Sequence, residues 1–290
     1  MRKIGLELIL LFLNITGLSI AIILYSGWWR AQKLPNNNPA KYVRKSQDST
    51  LVVFVGDSIT QGTIGASYVD LIVDKMDKTD FEFVNAGING EVAWNVAQRL
   101  EEIIRLQPDI ITLMIGTNDA IGSLSPKDAK LYRRTKGIPQ DPSVEWYHEN
   151  LTFILNEIQQ KTSAKIALVS IPVLTEDPSH KAFERSIEIS NAMKDVAHQF
   201  ALSYIPFNEQ MVECTKRNSS QAKLAFDKRI RAMFKATIKH YVFGRRWNQI
   251  STDSGFNLLI DNIHLNTIAA SMASDLIHSF ISGGMQSSGP

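Results

Sequence analysis

The sequence has little of what many scaffolds and cofactor sites require, beginning with cysteine. Its 290 residues include one cysteine, Cys214, which excludes an internal disulfide framework and a cysteine-based zinc site. Neither sign of charge is in excess, because 31 lysines and arginines face 29 aspartates and glutamates, for a net charge of +2. That balance is not typical of a nucleic-acid-binding protein. With 44% hydrophobic and 21% charged residues, the composition is that of an ordinary globular chain.

The sequence also lacks the patterns of a metal or nucleotide site. No GxxxxGK[ST] segment occurs and no GxGxxG follows the first hydrophobic run, so the usual phosphate-binding loops are missing. Five of the six histidines have no carboxylate or cysteine partner at ligand spacing, namely His148, His180, His198, His240 and His278. We therefore expect no metal, no cofactor and no nucleic-acid partner.

A long apolar run stands near the N-terminus. Residues 8–29 carry no charge and end in aromatic rings, and about 20 apolar residues are enough to cross a bilayer as a helix. We interpret residues 1–30 as a single-pass transmembrane anchor and residues 31–49 as a polar linker. The alternatives are a cleaved signal peptide and a buried helix of a soluble protein. Against the signal peptide, bulky residues occupy the positions where a cleavage site needs small ones.

Two observations disagree about the side of the membrane on which the domain would lie. The basic residues after the apolar run outnumber the two before it, which favours a cytoplasmic domain. Anchored members of similar families are often exported, and on that ground we expect a cell-membrane protein with an extracytoplasmic domain.

Short hydrophobic runs alternate with helical patterns through the rest of the chain. The strand-like runs are Leu51–Val55, Phe81–Asn85, Asp109–Ile115, Lys165–Ile171 and Ser203–Phe207. The helical patterns are Tyr68–Met76, Val92–Leu106, Val144–Gln160 and Phe183–Phe200. This alternation predicts right-handed βαβ units and a parallel sheet with helices on both faces. We predict an α/β domain over residues 50–282 and a flexible tail over residues 283–290.

Polar, glycine-rich segments follow the first three predicted strands, at the sheet edge where α/β proteins place their active sites. They read GDSITQG at residues 56–62, NAGINGE at 85–91 and GTND at 116–119, and DNIHLN stands at 261–266. Each segment is a weak signal alone, since a serine after a strand is more often a helix N-cap. Their combination at successive strand ends predicts a catalytic site.

Ser58 is the candidate nucleophile of this site. A serine hydroxyl needs a base within hydrogen-bond reach, and the base needs an acceptor that orients it. His264, with Asp261 three residues before it, supplies both. Attack on an ester creates an oxyanion, which needs preorganised donors. The candidates are the backbone N–H groups of Ser58 and Gly90 and the side-chain amide of Asn118.

The four segments resemble the sequence blocks of the GDSL, or SGNH, hydrolase superfamily, which is defined by a Ser, a Gly, an Asn and a His. Ser58, Gly90, Asn118 and His264 match these residues, and Asp261 matches the Asp three positions before the His. The resemblance implies a flavodoxin-like three-layer α/β/α fold with strand order 2-1-3-4-5. It also implies a Ser-His-Asp mechanism on esters that needs no metal.

The expected function is that of a membrane-anchored serine ester hydrolase acting on O-acyl esters of lipid or carbohydrate. Its expected partners are a small-molecule, lipid or glycan ester and the membrane. Gly87 is the alternative to Gly90 as oxyanion donor. A reading from a different class is a catalytically silent, membrane-tethered binding module, which the intact Ser58 and His264 disfavour.

Residues 216–246 form a basic stretch, with ten lysines and arginines against one acid, Asp227. Within it, apolar residues between 224 and 243 recur at helical spacing. We expect a helix that packs this stripe on the domain and leaves a solvated basic face. The alternative is that the basic face meets an anionic membrane surface.

Overall fold

A parallel sheet of five strands organises the chain. The computed structural model describes residues 17–19, 21–46, 48–218, 222 and 224–283. The strands are β1 (Thr50–Gly56), β2 (Phe81–Gly87), β3 (Ile110–Met114), β4 (Lys165–Val169) and β5 (Ser203–Ile205). They are hydrogen-bonded in the order β2-β1-β3-β4-β5. The predicted α/β class and strand order are confirmed.

Helices connect and cover the strands. Residues 21–32 are helical and are here called α1. The others are α2 (Ser58–Gln61), α3 (Tyr68–Lys75), α4 (Ala93–Gln98), α5 (Leu100–Ile104), α6 (Thr117–Gly122), α7 (Pro126–Lys136), α8 (Val144–Lys161), α9 (Lys181–Gln199), α10 (Phe207–Arg217), α11 (Arg229–Tyr241), α12 (Trp247–Asp253) and α13 (Thr267–Gly283). Beyond Gly283, the predicted tail lies outside the described residues.

The sheet lies in the core because its central strands are apolar on both faces. β1 is buried from Leu51 onwards and β3 is buried throughout, which is typical of parallel strands between two helix layers. Helix α3 packs with α13, and right-handed crossovers, the general rule for parallel strands, place them on one face for this strand order. On the opposite face, α8 packs with both α4 and α9. The carboxyl ends of β1, β2 and β3 therefore meet at one edge.

Helix α7 is fixed at both ends by its sequence. The Ser125 hydroxyl accepts the Asp128 N–H at 3.2 Å, and Pro126 occupies the first turn, where its missing N–H costs nothing. The helix ends at Gly137, which has the left-handed φ of +65° that glycine tolerates best. These two caps set the position of Lys136, the last residue of α7.

The predicted single helix from Val92 to Leu106 is two short helices, α4 and α5, separated at Arg99. This residue has a φ of −120° and a ψ of +18°, outside the helical range. Its guanidinium donates to the Glu91 carboxylate and to the Ala86 carbonyl. The apolar periodicity continues across the break, so the pattern did not reveal it.

The prediction of a single-pass membrane protein is wrong. Within the part of the chain that the structure describes, no helix is long and apolar enough to cross a membrane. Helix α1 instead packs on α11, where the rings of Trp28 and Phe234 lie 5.5 Å apart. A Cβ at Gly27 would meet Val242 at 2.9 Å, so the two segments are in close contact. Residues 1–16 and 20, the first part of the predicted anchor, lie outside the described residues.

The segment predicted as a linker lies along the edge strand β2. The Asn37 side chain donates to the Phe83 carbonyl at 3.0 Å, and the Asn37 carbonyl accepts the Asn85 N–H at 3.2 Å. Further along, the Tyr42 hydroxyl donates to the Glu82 carboxylate. An uncovered edge strand exposes unpaired backbone groups, and this segment satisfies part of that edge.

The basic helix is present as α11, preceded by a 3₁₀ turn at Phe226–Lys228. Its apolar stripe is only partly covered. Phe226 is buried and Met233 packs against the small cluster that contains Ala31, whereas Ile230 and Phe234 are exposed. The stripe therefore packs on the domain through part of its length.

Candidate active site

Ser58 lies at the sharp turn between β1 and α2. Asp57 caps α2, since its Oδ1 accepts the Ile59 N–H at 3.0 Å. Gly56, just before it, has no room for a side chain, because a Cβ there would lie 2.3 Å from the Met114 carbonyl oxygen. The turn therefore brings the Ser58 hydroxyl to the edge where β1 and β3 end.

Ser58, His264 and Asp261 form one hydrogen-bonded chain, although Ser58 and His264 lie 206 positions apart in the sequence. Ser58 Oγ lies 2.9 Å from His264 Nε2, and His264 Nδ1 lies 2.8 Å from Asp261 Oδ2. Because a carboxylate only accepts hydrogen bonds, this contact places a proton on Nδ1 and leaves the Nε2 lone pair directed at Ser58. Relative exposure is 5% for Ser58, 3% for His264 and 0% for Asp261.

The loop that carries His264 is held by the same aspartate. Asp261 Oδ1 accepts the backbone N–H groups of Ile263 at 3.0 Å and His264 at 2.8 Å. Asn262, between them, has a left-handed φ of +80°, and its carbonyl accepts the Thr175 N–H at 2.9 Å. Asp261 therefore orients the imidazole with one oxygen and shapes the loop with the other.

Asn118 lies at the start of α6, just after β3. Its Nδ2 donates to the Glu91 carbonyl at 2.9 Å and makes a longer contact, 3.3 Å, with Asp57 Oδ2. The Tyr132 hydroxyl donates to Asn118 Oδ1 at 2.7 Å. Because the oxygen is engaged by Tyr132, the amide group is oriented with its N–H donors towards Asp57 and the turn after β2.

The turn after β2 distinguishes the two candidate glycines. The Gly87 N–H donates to Asn85 Oδ1 at 2.9 Å and is therefore used within the turn. Among the described residues, no group accepts the Gly90 N–H, and Gly90 has a left-handed φ of +75°. Asn118 bonds the Glu91 carbonyl, so the Gly90 turn and the Asn118 amide are neighbours. This geometry favours Gly90 over Gly87 as an oxyanion donor.

Asn89, the residue before Gly90, is held on three sides. Its N–H donates to Gln61 Oε1 at 2.7 Å, and its side chain donates to the Ala31 carbonyl at 2.9 Å. Its own carbonyl accepts a hydrogen bond from the Lys136 ammonium. The position of the Gly90 turn therefore depends on α1, α2 and α7 together.

Two carboxyl groups are fully buried behind these residues. Burial raises the pKa of Asp57 to about 6 and the pKa of Asp119 to about 7. In each case a hydrogen bond from a backbone N–H partly opposes the rise. The donor is Ile59 for Asp57 and Ala93 for Asp119. The Asp119 carboxylate accepts the Ala93 N–H at 3.1 Å and so holds the start of α4 beside the site.

The raised pKa of Asp119 predicts a pH-dependent stability. Its folded-state pKa of about 7 lies above the ordinary value of 3.8, so its protonated form is favoured by folding, and stability falls as pH rises through that range. We expect Asp119→Asn to gain stability relative to the wild type as the pH rises from about 4 to about 7, and to keep that gain above pH 7. Urea unfolding at several pH values measures this difference. Asp253→Asn, at a more exposed position, is the control, and a pH-independent difference for Asp119→Asn would contradict the prediction.

Sequence reasoning missed several residues of this site. Tyr132 and Lys136 lie on α7, in a stretch that carries no recognisable pattern, and Arg99 pairs with Glu91 at 2.7 Å behind the Gly90 turn. Asp119 is the last residue of the GTND segment, and its place directly after Asn118 was the sequence signal that could have indicated it. Within the described ranges, no group of three or more histidine, cysteine or acidic side chains could hold a metal ion.

Comparison with known proteins identifies the class. The model of the GDSL-like Lipase/Acylhydrolase family matches residues 54–227, and the chain belongs to this family, as the sequence blocks predicted. The matched span contains Ser58, Gly90 and Asn118, whereas Asp261 and His264 lie beyond it. No curated protein sequence matches the chain.

Solved structures of esterases share the fold. A catalytic mutant of Axe2, an acetylxylan esterase from Geobacillus stearothermophilus, has a TM-score of 0.54 at 15% identity, covering 81% of this chain and 94% of that one. The lipase/acylhydrolase from Enterococcus faecalis has a TM-score of 0.53 at 20% identity, covering 81% and 96%. The acetyl xylan esterase AlAXEase has a TM-score of 0.52 at 18% identity, covering 80% and 99%.

Proposed function

We propose that this protein is a serine ester hydrolase with Ser58 as nucleophile, His264 as general base and then acid, and Asp261 as the group that orients His264. The observation that carries the proposal is the hydrogen-bonded chain from Ser58 Oγ to His264 Nε2, 2.9 Å, and from His264 Nδ1 to Asp261 Oδ2, 2.8 Å. A nucleophile, a base and an orienting acceptor in this arrangement are what acyl transfer requires.

The reaction would proceed in two halves. Ser58 Oγ attacks the ester carbonyl while its proton passes to His264 Nε2, and the tetrahedral intermediate collapses as His264 returns that proton to the departing alcohol oxygen. Water then attacks the acyl-serine, with His264 taking the proton of the water and returning it to Ser58 Oγ. The products are the alcohol and the free acid.

The oxyanion of each intermediate would be stabilised by three donors, the N–H groups of Ser58 and Gly90 and the Asn118 amide. The Gly90 N–H has no acceptor in the described part of the chain, and Asn118 Nδ2 makes only one short hydrogen bond, to the Glu91 carbonyl. Its second N–H, in long contact with Asp57, is the one proposed to donate. Donors fixed before the reaction cost no reorganisation when the charge develops.

Replacing Asn118 tests this assignment. We expect Asn118→Ala to lower kcat by about 10²- to 10³-fold, the usual effect of losing one oxyanion donor. Asn150→Ala is the control, because Asn150 is also a buried asparagine but bonds only its own helix, through the Trp146 carbonyl. Steady-state kinetics on a soluble ester measure kcat. An unchanged kcat in Asn118→Ala would give Asn118 a structural role.

The substrate we propose is an ester of a short acyl group, acetyl above all, on a hydroxyl-rich carrier such as a carbohydrate. The nucleophile and base are only 5% and 3% exposed, and such limited access favours a small acyl group. The side chains of Gln61 and Asn89 beside the Gly90 turn are polar and suit a hydroxylated alcohol. Acetylxylan esterases are among the proteins of similar fold.

Two measurements test this function. A fluorophosphonate probe should label the wild-type chain at Ser58, because only an activated serine reacts. The rate of hydrolysis of p-nitrophenyl esters should then fall as the acyl group lengthens from acetyl to octanoyl, and acetylated xylo-oligosaccharide should be a better substrate than a lysophospholipid. Absence of labelling would favour a silent binding module, and a preference for octanoyl would overturn the acyl assignment.

A further inference from the structure

Lys136 makes a contact that the mechanism above does not use. Its ammonium donates a hydrogen bond to the Asn89 carbonyl, which belongs to the same peptide unit as the Gly90 N–H. The lysine comes from α7, nearly fifty residues further along the chain. Its backbone is tied to the same region, because the Lys136 carbonyl accepts Asn95 Nδ2 at 3.0 Å.

The geometry of the peptide places the lysine behind the proposed oxyanion donor. The described residues contain no cis peptide bond, so the Asn89 carbonyl and the Gly90 N–H point in opposite directions across a planar unit. If the N–H faces the oxyanion, the carbonyl and Lys136 lie on the far side. The absence of a side chain at Gly90 allows this approach, since a Cβ there would lie 2.5 Å from Lys136 Cε.

We propose that Lys136 is a positioning residue of the oxyanion site, which holds and polarises the Asn89–Gly90 peptide so that the Gly90 N–H becomes a stronger hydrogen-bond donor. The proposal rests on the proposed function, because it needs Gly90 to act as a donor. A cation on a carbonyl draws electron density from the amide nitrogen and strengthens its N–H as a donor, most effectively where water is excluded.

Other roles for the ammonium are accounted for by neighbouring groups. The nearby acid Glu91 is already paired with Arg99 at 2.7 Å, and both side chains are 11% exposed, so Lys136 is not needed to neutralise it. Lys136 is itself half-buried, and burial lowers its pKa while Glu91 and Asp57 oppose that change. A partly desolvated cation on one carbonyl, with its acidic neighbour otherwise satisfied, is suited to polarising that peptide.

The test compares Lys136→Met, which removes the cation, with Lys136→Arg, which keeps it. Lys130→Met, at an exposed position on the same helix, is the matched control. For each full-length variant we would measure kcat and KM on p-nitrophenyl acetate, the rate of fluorophosphonate labelling and the unfolding temperature. We expect Lys136→Met to lower kcat and the labelling rate by about 10- to 30-fold, less than the loss of a whole donor, with KM within about threefold.

The conservative variant Lys136→Arg and the control Lys130→Met define the results that would contradict the proposal. Lys136→Arg should retain kcat within about threefold and Lys130→Met should match the wild type. The proposed role of Lys136 is overturned if Lys136→Met keeps the wild-type kcat or raises only KM. It is also overturned if Lys136→Arg folds and loses as much kcat as Lys136→Met. Lys136→Gln, which keeps a neutral donor, replaces Lys136→Met if that variant does not fold, with an intermediate kcat expected. A wild-type chain that is neither labelled nor active would instead refute the proposed function itself.

Discussion

Ser58→Ala should reduce ester hydrolysis by at least about 10⁴-fold while the protein stays folded, and His264→Ala should do the same, because neither member of the pair acts without the other. In the proposed mechanism the serine oxygen forms the acyl-enzyme, and His264 Nε2, 2.9 Å away, is the base that takes its proton. Turnover of p-nitrophenyl acetate measures the loss. Circular dichroism and thermal unfolding measure the fold.

Ser170→Ala is the matched control for this result. Ser170 is a fully buried serine that also follows a strand of the sheet, β4. Its hydroxyl donates to the Ile205 carbonyl, and the residue lies outside the four matched segments. It should keep near wild-type kcat. If Ser58→Ala retained more than about a tenth of wild-type turnover, Ser58 would not be the nucleophile.

Asp261→Asn should lower kcat by about 10⁴-fold, the effect expected when the imidazole is held in the wrong tautomer. Asp261 Oδ1 accepts two backbone N–H groups, those of Ile263 and His264. An asparagine must keep its oxygen on these donors, so its NH₂ group would face His264 Nδ1. That nitrogen would then have to accept, which moves the imidazole proton to Nε2 and removes the base from Ser58.

The same two backbone bonds make this variant informative, because the loop should survive the change. Asp261→Asn should therefore unfold at close to the wild-type temperature, whereas Asp261→Ala, which removes the acceptor for both N–H groups, should be less stable as well as inactive. Kinetics and thermal unfolding on both variants separate the two roles. If kcat fell by less than about tenfold in Asp261→Asn, the role of Asp261 would be limited to holding the loop.

The sheet and the core of the site were predictable because their signals are local. Each strand is a short apolar run, and Ser58, Gly90 and Asn118 each follow one, so parallel topology alone brings them to one edge. Asp261 and His264 were predictable from their spacing. Tyr132 and Lys136 were not, because their roles come from where the two caps of α7 place that helix, and neither residue stands in a pattern of its own.

The apolar run before residue 30 shows a different limit. A run of this kind is stabilised equally by a bilayer or by an apolar surface of the same protein, and composition does not separate the two. In the structure, the described end of this run contacts the protein through the close approach of Gly27 to α11 and the contact of Trp28 with Phe234. These packing partners lie about 200 residues further along the chain, so the local sequence does not predict them.

The end of α1 bears on what counts as the minimal catalytic unit. The Ala31 carbonyl accepts hydrogen bonds from the Thr63 hydroxyl at 2.6 Å and from Asn89 Nδ2 at 2.9 Å, and the Lys33 carbonyl accepts one from Gln61. The family match begins only at residue 54. A fragment that begins at Thr50, the first residue of β1, would keep the sheet and every residue of the proposed triad, yet would leave the donors around the Gly90 turn without these acceptors. The contacts that hold the Gly90 turn therefore extend upstream of the matched family segment, and substitutions at Ala31 to Lys33 would alter the turn without changing any of the four sequence blocks.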